Sequence, residues 1–350
     1  MAVLVTGGAG YIGSHMVLRL ADAGEEVVVL DNLVTGFDWA VDHRATLVQG
    51  NVGDMGFVGD IIAKHKITEI VHFAGSIVVP ESVTDPLKYY GNNTAASRNL
   101  IEAAVKGGVR HFIFSSTAAV YGAGAGNGVA ALNEDLPKDP TSPYGDTKLA
   151  CERMIASQAA AFGITAVALR YFNAAGADPS GLIGEAHDPE THLIPLAIAA
   201  ATGTGKPLTV FGDDFDTPDG TCLRDYIHVN DLASAHVAAL EASLPVGAFE
   251  AVNVGNGQGR SVREVIEAVQ QATGRAVPYS IGARRAGDPA SLVADPSRGA
   301  SLLGWKPQKS SLLQIVQDAA AWHRAQRYGR QAAPAPTPAA HPHVRVVAAN

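Results

Sequence analysis

Tyr144 and Lys148, within Tyr144-Gly145-Asp146-Thr147-Lys148, are the residues of this chain best placed for proton chemistry. Positions four apart on a helix share one face, so a phenol and an ammonium can address a single bound molecule. A phenol has a free pKa of about 10 and is a poor base at neutral pH. A fixed cation beside it favours the phenolate, and Lys148 is the expected source of that charge. By itself a Y-x-x-x-K spacing describes many helices whose Tyr packs and whose Lys is solvated. Two neighbouring features give it weight. Ser115-Ser116-Thr117-Ala118-Ala119-Val120-Tyr121-Gly122 ends a strand-like run shortly before Tyr144, and a glycine-rich turn opens the chain.

That turn, Gly7-Gly8-Ala9-Gly10-Tyr11-Ile12-Gly13, follows the apolar run Ala2 to Thr6 and precedes a helical pattern through Leu18 and Ala21. Glycines let the backbone turn tightly and approach a pyrophosphate, whose charge is favoured by free N–H groups at a helix start. The next strand, Glu26 to Leu30, ends at Asp31-Asn32, placing a carboxylate about 20 residues past the glycines. Asp31 can accept both ribose hydroxyls of NAD and would repel the 2′-phosphate of NADP, so NAD is the expected cofactor.

Strand-like and helix-like runs then alternate through Thr46–Val48, Phe57–Lys64, Glu69–Phe73, Asn93–Val105 and Phe112–Ser115, with a helix from Tyr144 to Phe162 and a strand from Thr165 to Arg170. This rhythm predicts an α/β fold, a Rossmann-type doubly wound parallel sheet with a smaller loop-rich substrate-binding lobe. Residues 1–175 are expected to form the cofactor-binding domain, with returns near 226–256. Residues 176–326, where Gly, Pro and Asp break the rhythm, should form most of the second lobe. Ser261-Val262-Arg263-Glu264 reads as a capping box, and the last helix should run from Leu312 to Gln326. The Ala/Pro-rich tail, 327–350, cannot bury a core and is expected to be disordered.

The 350 residues carry a net charge of -8 and no Lys/Arg-rich run, which gives no electrostatic basis for nucleic-acid binding. Apolar residues make up 47% and the mean hydropathy is +0.09. No stretch of about 18 unbroken apolar residues is present, so no membrane span is expected. The first strand begins directly after Met1, leaving no room for a signal peptide, and the expected location is cytoplasmic. Cys151 and Cys222 form no C-x-x-C pair and no His cluster stands at ligand spacing, so neither a disulfide nor a metal site is expected. In so acidic a chain an anionic ligand needs locally placed Arg, and Arg224-Asp225-Tyr226-Ile227-His228 and Arg284-Arg285-Ala286-Gly287-Asp288 supply it.

Taken in order from residue 1 to about 326, these motifs resemble the extended short-chain dehydrogenase/reductase superfamily, and most closely its UDP-glucose 4-epimerases. The resemblance implies that Gly7, Gly10, Tyr11, Ile12 and Gly13 hold the pyrophosphate of NAD, that Asp31 and Asn32 meet its ribose, and that Asn51 and Val52 flank the adenine. Phe73, Ala74, Gly75, Asn92 and Phe172 would line the rest of the cofactor path, with Thr117, Tyr144 and Lys148 at the reacting end. A UDP-sugar would lie against Thr117, Tyr144, Asn173, His192, Leu193 and Phe211, with Arg224 and Arg285 on its diphosphate, Asp288 on its ribose and Leu292 beside the sugar. The implied reaction removes hydride from C4 while Tyr144 takes the O4 proton and Thr117 hydrogen-bonds that oxygen. A 4-keto sugar then turns and receives hydride on its other face. The implied assembly is a homodimer through the helices 93–105 and 143–162.

Several positions depart from the family pattern. Asn51 stands where many relatives have Asp, Thr117 where many have Ser, Ile77 where some have Lys, and Leu292 where narrow-specificity members have Tyr. Loss of that ring sets back the wall beside the sugar and leaves space for an N-acetyl group, so epimerisation of UDP-N-acetylglucosamine, or of another UDP-sugar such as a pentose, stands beside the UDP-glucose reading. A sugar-nucleotide 4,6-dehydratase is disfavoured, because Ala118 and Ala119 after Thr117 cannot transfer protons. A non-catalytic NAD-sensing protein would leave intact Thr117, Tyr144 and Lys148 unexplained.

Overall fold

β-Branched runs too apolar for a sheet with one wet face build the centre of the molecule. Val27–Leu30 and Thr165–Tyr171 are buried throughout, as parallel strands covered on both faces must be. The computed structural model describes residues 2–122, 131–285, 287–309 and 311–325; the expected disordered tail lies outside them. Strands β1 (Ala2–Thr6), β2 (Glu26–Asp31), β3 (Thr46–Gln49), β4 (Glu69–His72), β5 (His111–Thr117) and β6 (Thr165–Tyr171) are joined by β10 (Phe249–Val254) in one parallel sheet of seven, in the order β10-β6-β5-β4-β1-β2-β3. The order reverses between β1 and β4, and ligands of such sheets bind at the carboxyl ends of the strands at that point. Gly7 and Phe73 end up there because they follow those two strands.

Helices cover both faces. On one, α2 (Met55–His65), α5 (Ala96–Lys106) and α6 (Pro143–Phe162) contribute Val58, Ile62, Leu100, Cys151 and Ile155 to the core. On the other, α1 (Tyr11–Asp22) and α8 (Val229–Glu241) contribute Met16, Val17, Leu20, Leu232 and Ala235. The second lobe packs α7 (Leu193–Thr202), α9 (Val262–Thr273) and α11 (Leu312–Arg324) around a separate core containing Ile198, Val265 and Ile315. The Ser261–Glu264 capping box is complete at the start of α9.

A small four-strand sheet, in which β11 (Gly259–Ser261) pairs antiparallel with β9, links the lobes to the cleft. In β9 (Leu223–His228), Arg224 pairs with Leu292 of β13 (Ser291–Leu292) and Tyr226 with Asn173 of β7 (Asn173–Ala175). Asp225, fully buried between them, accepts backbone N–H bonds from Asn256, Gly257 and Ala294 at 2.8, 2.9 and 3.1 Å. A carboxylate satisfied by several backbone donors ties the turn after β10 and the segment after β13 to β9 at once.

One element begins differently from the pattern in the sequence. The helix expected from Asn93 starts at Ala96, and a π-helical turn, Tyr90–Ala95, precedes it. The extra residue per turn brings both Asn92 and Asn93 to the cleft side, a distortion common at functional sites.

Candidate active site

Helix α6 starts where it does because Ser142 caps it, accepting from Gly145 N at 3.2 Å, and Pro143 occupies its first turn. Tyr144 therefore sits in the first turn, beside the end of β5, with the Thr117 hydroxyl close enough to act on its phenol. Lys148 lies one turn deeper, buried, and donates to the Ser115 carbonyl at 2.8 Å with its ammonium 4.9 Å above the Phe114 ring.

The electrostatics correct one expectation from the sequence. Burial pushes the Tyr144 phenol up, with the Thr117 hydrogen bond acting against it, and Lys148 is not among the groups that move it. Burial in turn carries Lys148 down to about 8, with Cys151 and Glu152 acting the other way. Spacing put the two on one face; it did not reveal that the ammonium is aimed at a backbone carbonyl of β5 rather than at the phenol.

A loop and a buried network hold this pair in place. Asn93 accepts from Ser76 N at 2.7 Å and donates to Ser76 O and Thr147 Oγ1 at 3.0 and 3.2 Å, clamping the loop after β4 to α6. A Cβ at Gly75 would meet Asn93 Oδ1 at 3.0 Å and come within 3.9 Å of Lys148 Nζ. Asn92 donates to Ser76 Oγ at 2.9 Å. Below the loop, Glu152 of α6 binds Arg170 of β6 through both carboxylate oxygens, at 2.9 and 2.6 Å, and accepts from Ser116 of β5 at 2.5 Å. Arg170 also donates to Tyr121, whose hydroxyl donates to Asn253 of β10. Sequence reasoning passed over Asn93, Glu152 and Arg170, since one buried polar residue in an apolar run carries no periodic signal.

The cofactor end is equally built. Gly7 has φ +71°, and a Cβ there would lie 2.6 Å from Ala74 N, so the turn after β1 is pressed against the turn after β4. Gly13 is needed because its Cβ would lie 2.2 Å from the Gly7 carbonyl. Helix α1 follows Gly10, its N-cap, which provides no side-chain cap and leaves the first N–H groups to an anion. The buried Asp31 carboxylate accepts from Ala9 N and Leu33 N at 3.0 and 2.8 Å; burial raises its pKa and those two donors oppose the shift. Asn32 folds onto its own loop, accepting from Val34 N at 3.1 Å. Asn51 and Asn92 line one open groove of about 510 Å³, whereas the Val52 side chain turns into the core. Tyr11 donates to the Gly176 carbonyl at 2.7 Å, joining the glycine turn to the loop after β7. An uncapped helix start, a buried acceptor pair and glycines at the strand crossing suit a dinucleotide.

Across the cleft, Arg224 pairs with Asp288 and donates to Pro289 O at 3.0 Å, while the Arg285 guanidinium stacks 4.2 Å above the Phe211 ring. Phe172 and Leu292 pack on a small cluster of Ala118, Val120, Tyr121, Leu132 and Leu149, so the wall beside the expected sugar is apolar. Leu193 begins α7, and His192 precedes it as its N-cap.

His192 overturns a second expectation. Its Nδ1 pairs with Glu185, which His187 Nδ1 also approaches at 3.3 Å, and Glu190 completes a group whose ligand-type atoms all lie within 4.8 Å of one another. Burial alone would raise Glu185, yet the two imidazoles carry it down to about 2; burial would lower His187, yet Glu185 and Glu190 carry it up to about 9. A His cluster is thus present after all. Its signal in the sequence is the repeated Glu-x-His at 185–187 and 190–192, a spacing in which carboxylates, not a second Cys or His, accompany each imidazole.

Fold and site together define the class: a doubly wound dinucleotide-binding protein of the short-chain dehydrogenase/reductase type. The profile of the NAD dependent epimerase/dehydratase family matches residues 3–255, and the chain belongs to that family. It is 46% identical over 323 residues to a UDP-glucose 4-epimerase of Lacticaseibacillus casei, covering 92% of this chain and 97% of the relative. The crystal structure of UDP-glucose 4-epimerase from Brucella ovis in complex with NAD superposes with a TM-score of 0.86 at 47% identity, covering 91% of this chain and 97% of that one. The UDP-Glc/GlcNAc 4-epimerase of Campylobacter jejuni is 40% identical with a TM-score of 0.79, covering 93% and 99%.

Proposed function

We propose that the protein is a UDP-glucose 4-epimerase, interconverting UDP-galactose and UDP-glucose through a 4-keto sugar. The observation that carries this reading is the Tyr144–Thr117 hydroxyl pair at the end of β5, facing the cleft between the glycine turn and the Arg224–Asp288 pair. Tyr144 takes the proton from the sugar's O4 and later returns it. Thr117 hydrogen-bonds both the phenol and that oxygen, fixing which hydroxyl reacts. Lys148, held by the Ser115 carbonyl, presents its remaining N–H donors to the cofactor side. Bound NAD supplies the hydride acceptor and donor at C4. Arg224 and Arg285 bind the diphosphate; Arg224 is released to it as the Asp288 carboxylate turns to the nucleotide ribose. Asp31 selects NAD by its charge. Incubation of the purified protein with UDP-galactose should yield UDP-glucose without added reductant, and recovery of unchanged substrate would reject the reading.

A broader substrate range is favoured by Leu292, whose register beside Arg224 puts an aliphatic side chain next to the pocket wall formed by Phe172. UDP-N-acetylglucosamine is accepted as well as UDP-glucose. Apolar walls discriminate size by roughly 10–200-fold, and Leu292→Tyr is expected to lower kcat/KM for the N-acetyl pair relative to the glucose pair within that range. An unchanged ratio would show that Leu292 is no gate.

The protein works as a homodimer. Helices α5 and α6 lie side by side, and exposed Val83 and Leu87 (63% and 81% accessible) extend their face with apolar surface. Sedimentation at micromolar concentration should give twice the mass of one chain, and a monomer mass would refute this assembly.

A further inference from the structure

Two carboxylates and two imidazoles converge outside the hydride-transfer centre, in the segment between the loop at Gly184 and α7. We propose that Glu185, His187, Glu190 and His192 form a closed binding site for a divalent transition ion of the zinc type. No step of the reaction above requires it.

The geometry is already near that of a bound ion. Tetrahedral zinc with bonds of about 2.0–2.2 Å to N and O places its ligand atoms roughly 3.3–3.5 Å apart. His187 Nδ1 lies 3.3 Å from Glu185 Oε1 and 3.6 Å from Glu190 Oε2, and His192 Nδ1 lies 3.8 Å from Glu190 Oε1. The His192–Glu185 pair is closer still. An ion entering the group displaces protons from the two imidazoles and leaves them as neutral ligands.

The donors are also held from behind, as metal ligands generally are. Glu190 Oε1 accepts from the backbone N–H groups of Thr191 and His192 at 2.7 and 2.8 Å, which fixes the carboxylate. Its Oε2 is buried and, among the described residues, makes no hydrogen bond; its nearest charged neighbour is His187 Nδ1 at 3.6 Å. The Glu185 side chain is 2% accessible, and its backbone carbonyl accepts from Trp322 Nε1 at 2.8 Å. Trp322 in turn covers Gly184, where a Cβ would lie 2.4 Å from the indole. Loop and ligands therefore have little freedom to reorganise.

Donor chemistry selects the ion. Magnesium and calcium prefer all-oxygen shells with several waters, while two imidazoles with two carboxylates suit zinc, cobalt or nickel. With all four positions taken by the protein, the ion fastens the segment rather than activating a water. That segment touches the cofactor turn through the Tyr11 ring, 6.1 Å from His187, and runs directly into α7.

The test is calorimetric titration of ZnCl₂ into full-length, chelator-stripped protein, with thermal unfolding measured in parallel. One ion per chain and a raised Tm are expected, with MgCl₂ giving neither. His187→Gln and Glu190→Gln, each at the less buried side of the group, should weaken zinc binding by about tenfold or more, the scale for an impaired metal shell. The chain has 12 His, and comparison with these variants separates uptake at this group from uptake at the others. Absence of stoichiometric uptake by the unmodified protein, or uptake and Tm shift unchanged in both variants, overturns the proposal. Neither readout depends on turnover, so this result stands apart from the epimerase reading.

Discussion

Replacing Tyr144 by Phe is expected to lower turnover by roughly 10²-fold or more, the scale of a lost general base, while leaving bound NAD and the circular dichroism spectrum unchanged. The substitution removes one oxygen. The ring keeps its edge contact with Tyr89 at 6.5 Å, and the Ser142 cap that starts α6 is untouched. Thr117 still accepts from the Ala119 N–H at 3.1 Å, so its hydroxyl is not stranded. Steady-state assay of UDP-galactose conversion decides the matter. A folded, NAD-loaded Tyr144→Phe protein that retains near-normal turnover would mean the proton leaves by another route.

The second large effect is on stability. Arg170→Met leaves Glu152 buried with its counter-charge gone, and breaking a buried pair in this way costs about 3–5 kcal/mol. The loss should be visible as an earlier denaturant midpoint. The double variant Arg170→Met/Glu152→Met removes both charges and should recover most of it, because apolar replacement of a whole buried pair is often neutral or better. Ser116 and Tyr121 then lose partners as well, so recovery stays incomplete. A single variant as stable as the parent would show that the pair does not anchor α6 against β5 and β6.

How much of this could be read from residues alone depended on how local the signal was. The glycine turn, Asp31, the strand–helix rhythm and the span of α6 are patterns read between neighbouring elements of the chain, and each carries its own physics of backbone reach or helix capping. The junction around β9 has no such signature: β7, β9 and β13 contain three, six and two residues, and their partners lie far apart in the chain. The same holds for Glu152 with Arg170 and for Asn93 with Ser76, which meet only once the sheet is assembled. Lys148 is the instructive case. Its position was legible and its electrostatic role was not, because a spacing says nothing of the carbonyl an ammonium will find.

β10 closes the edge of the large sheet against β6, yet 77 residues separate the end of one from the start of the other, by the numbering of Tyr171 and Phe249. A nascent chain leaves the ribosome in sequence order, so β6 stands as an unpaired edge until β7, α7, β8 (Leu208–Phe211), β9 and α8 have all been made. Unpaired edges recruit other strands, including those of neighbouring chains. The large sheet can therefore not be completed from the first part of the chain alone: a fragment stopping after β6 keeps its glycine turn and Tyr144 but exposes an open sheet edge, and a fragment beginning at β7 lacks everything that β10 pairs with.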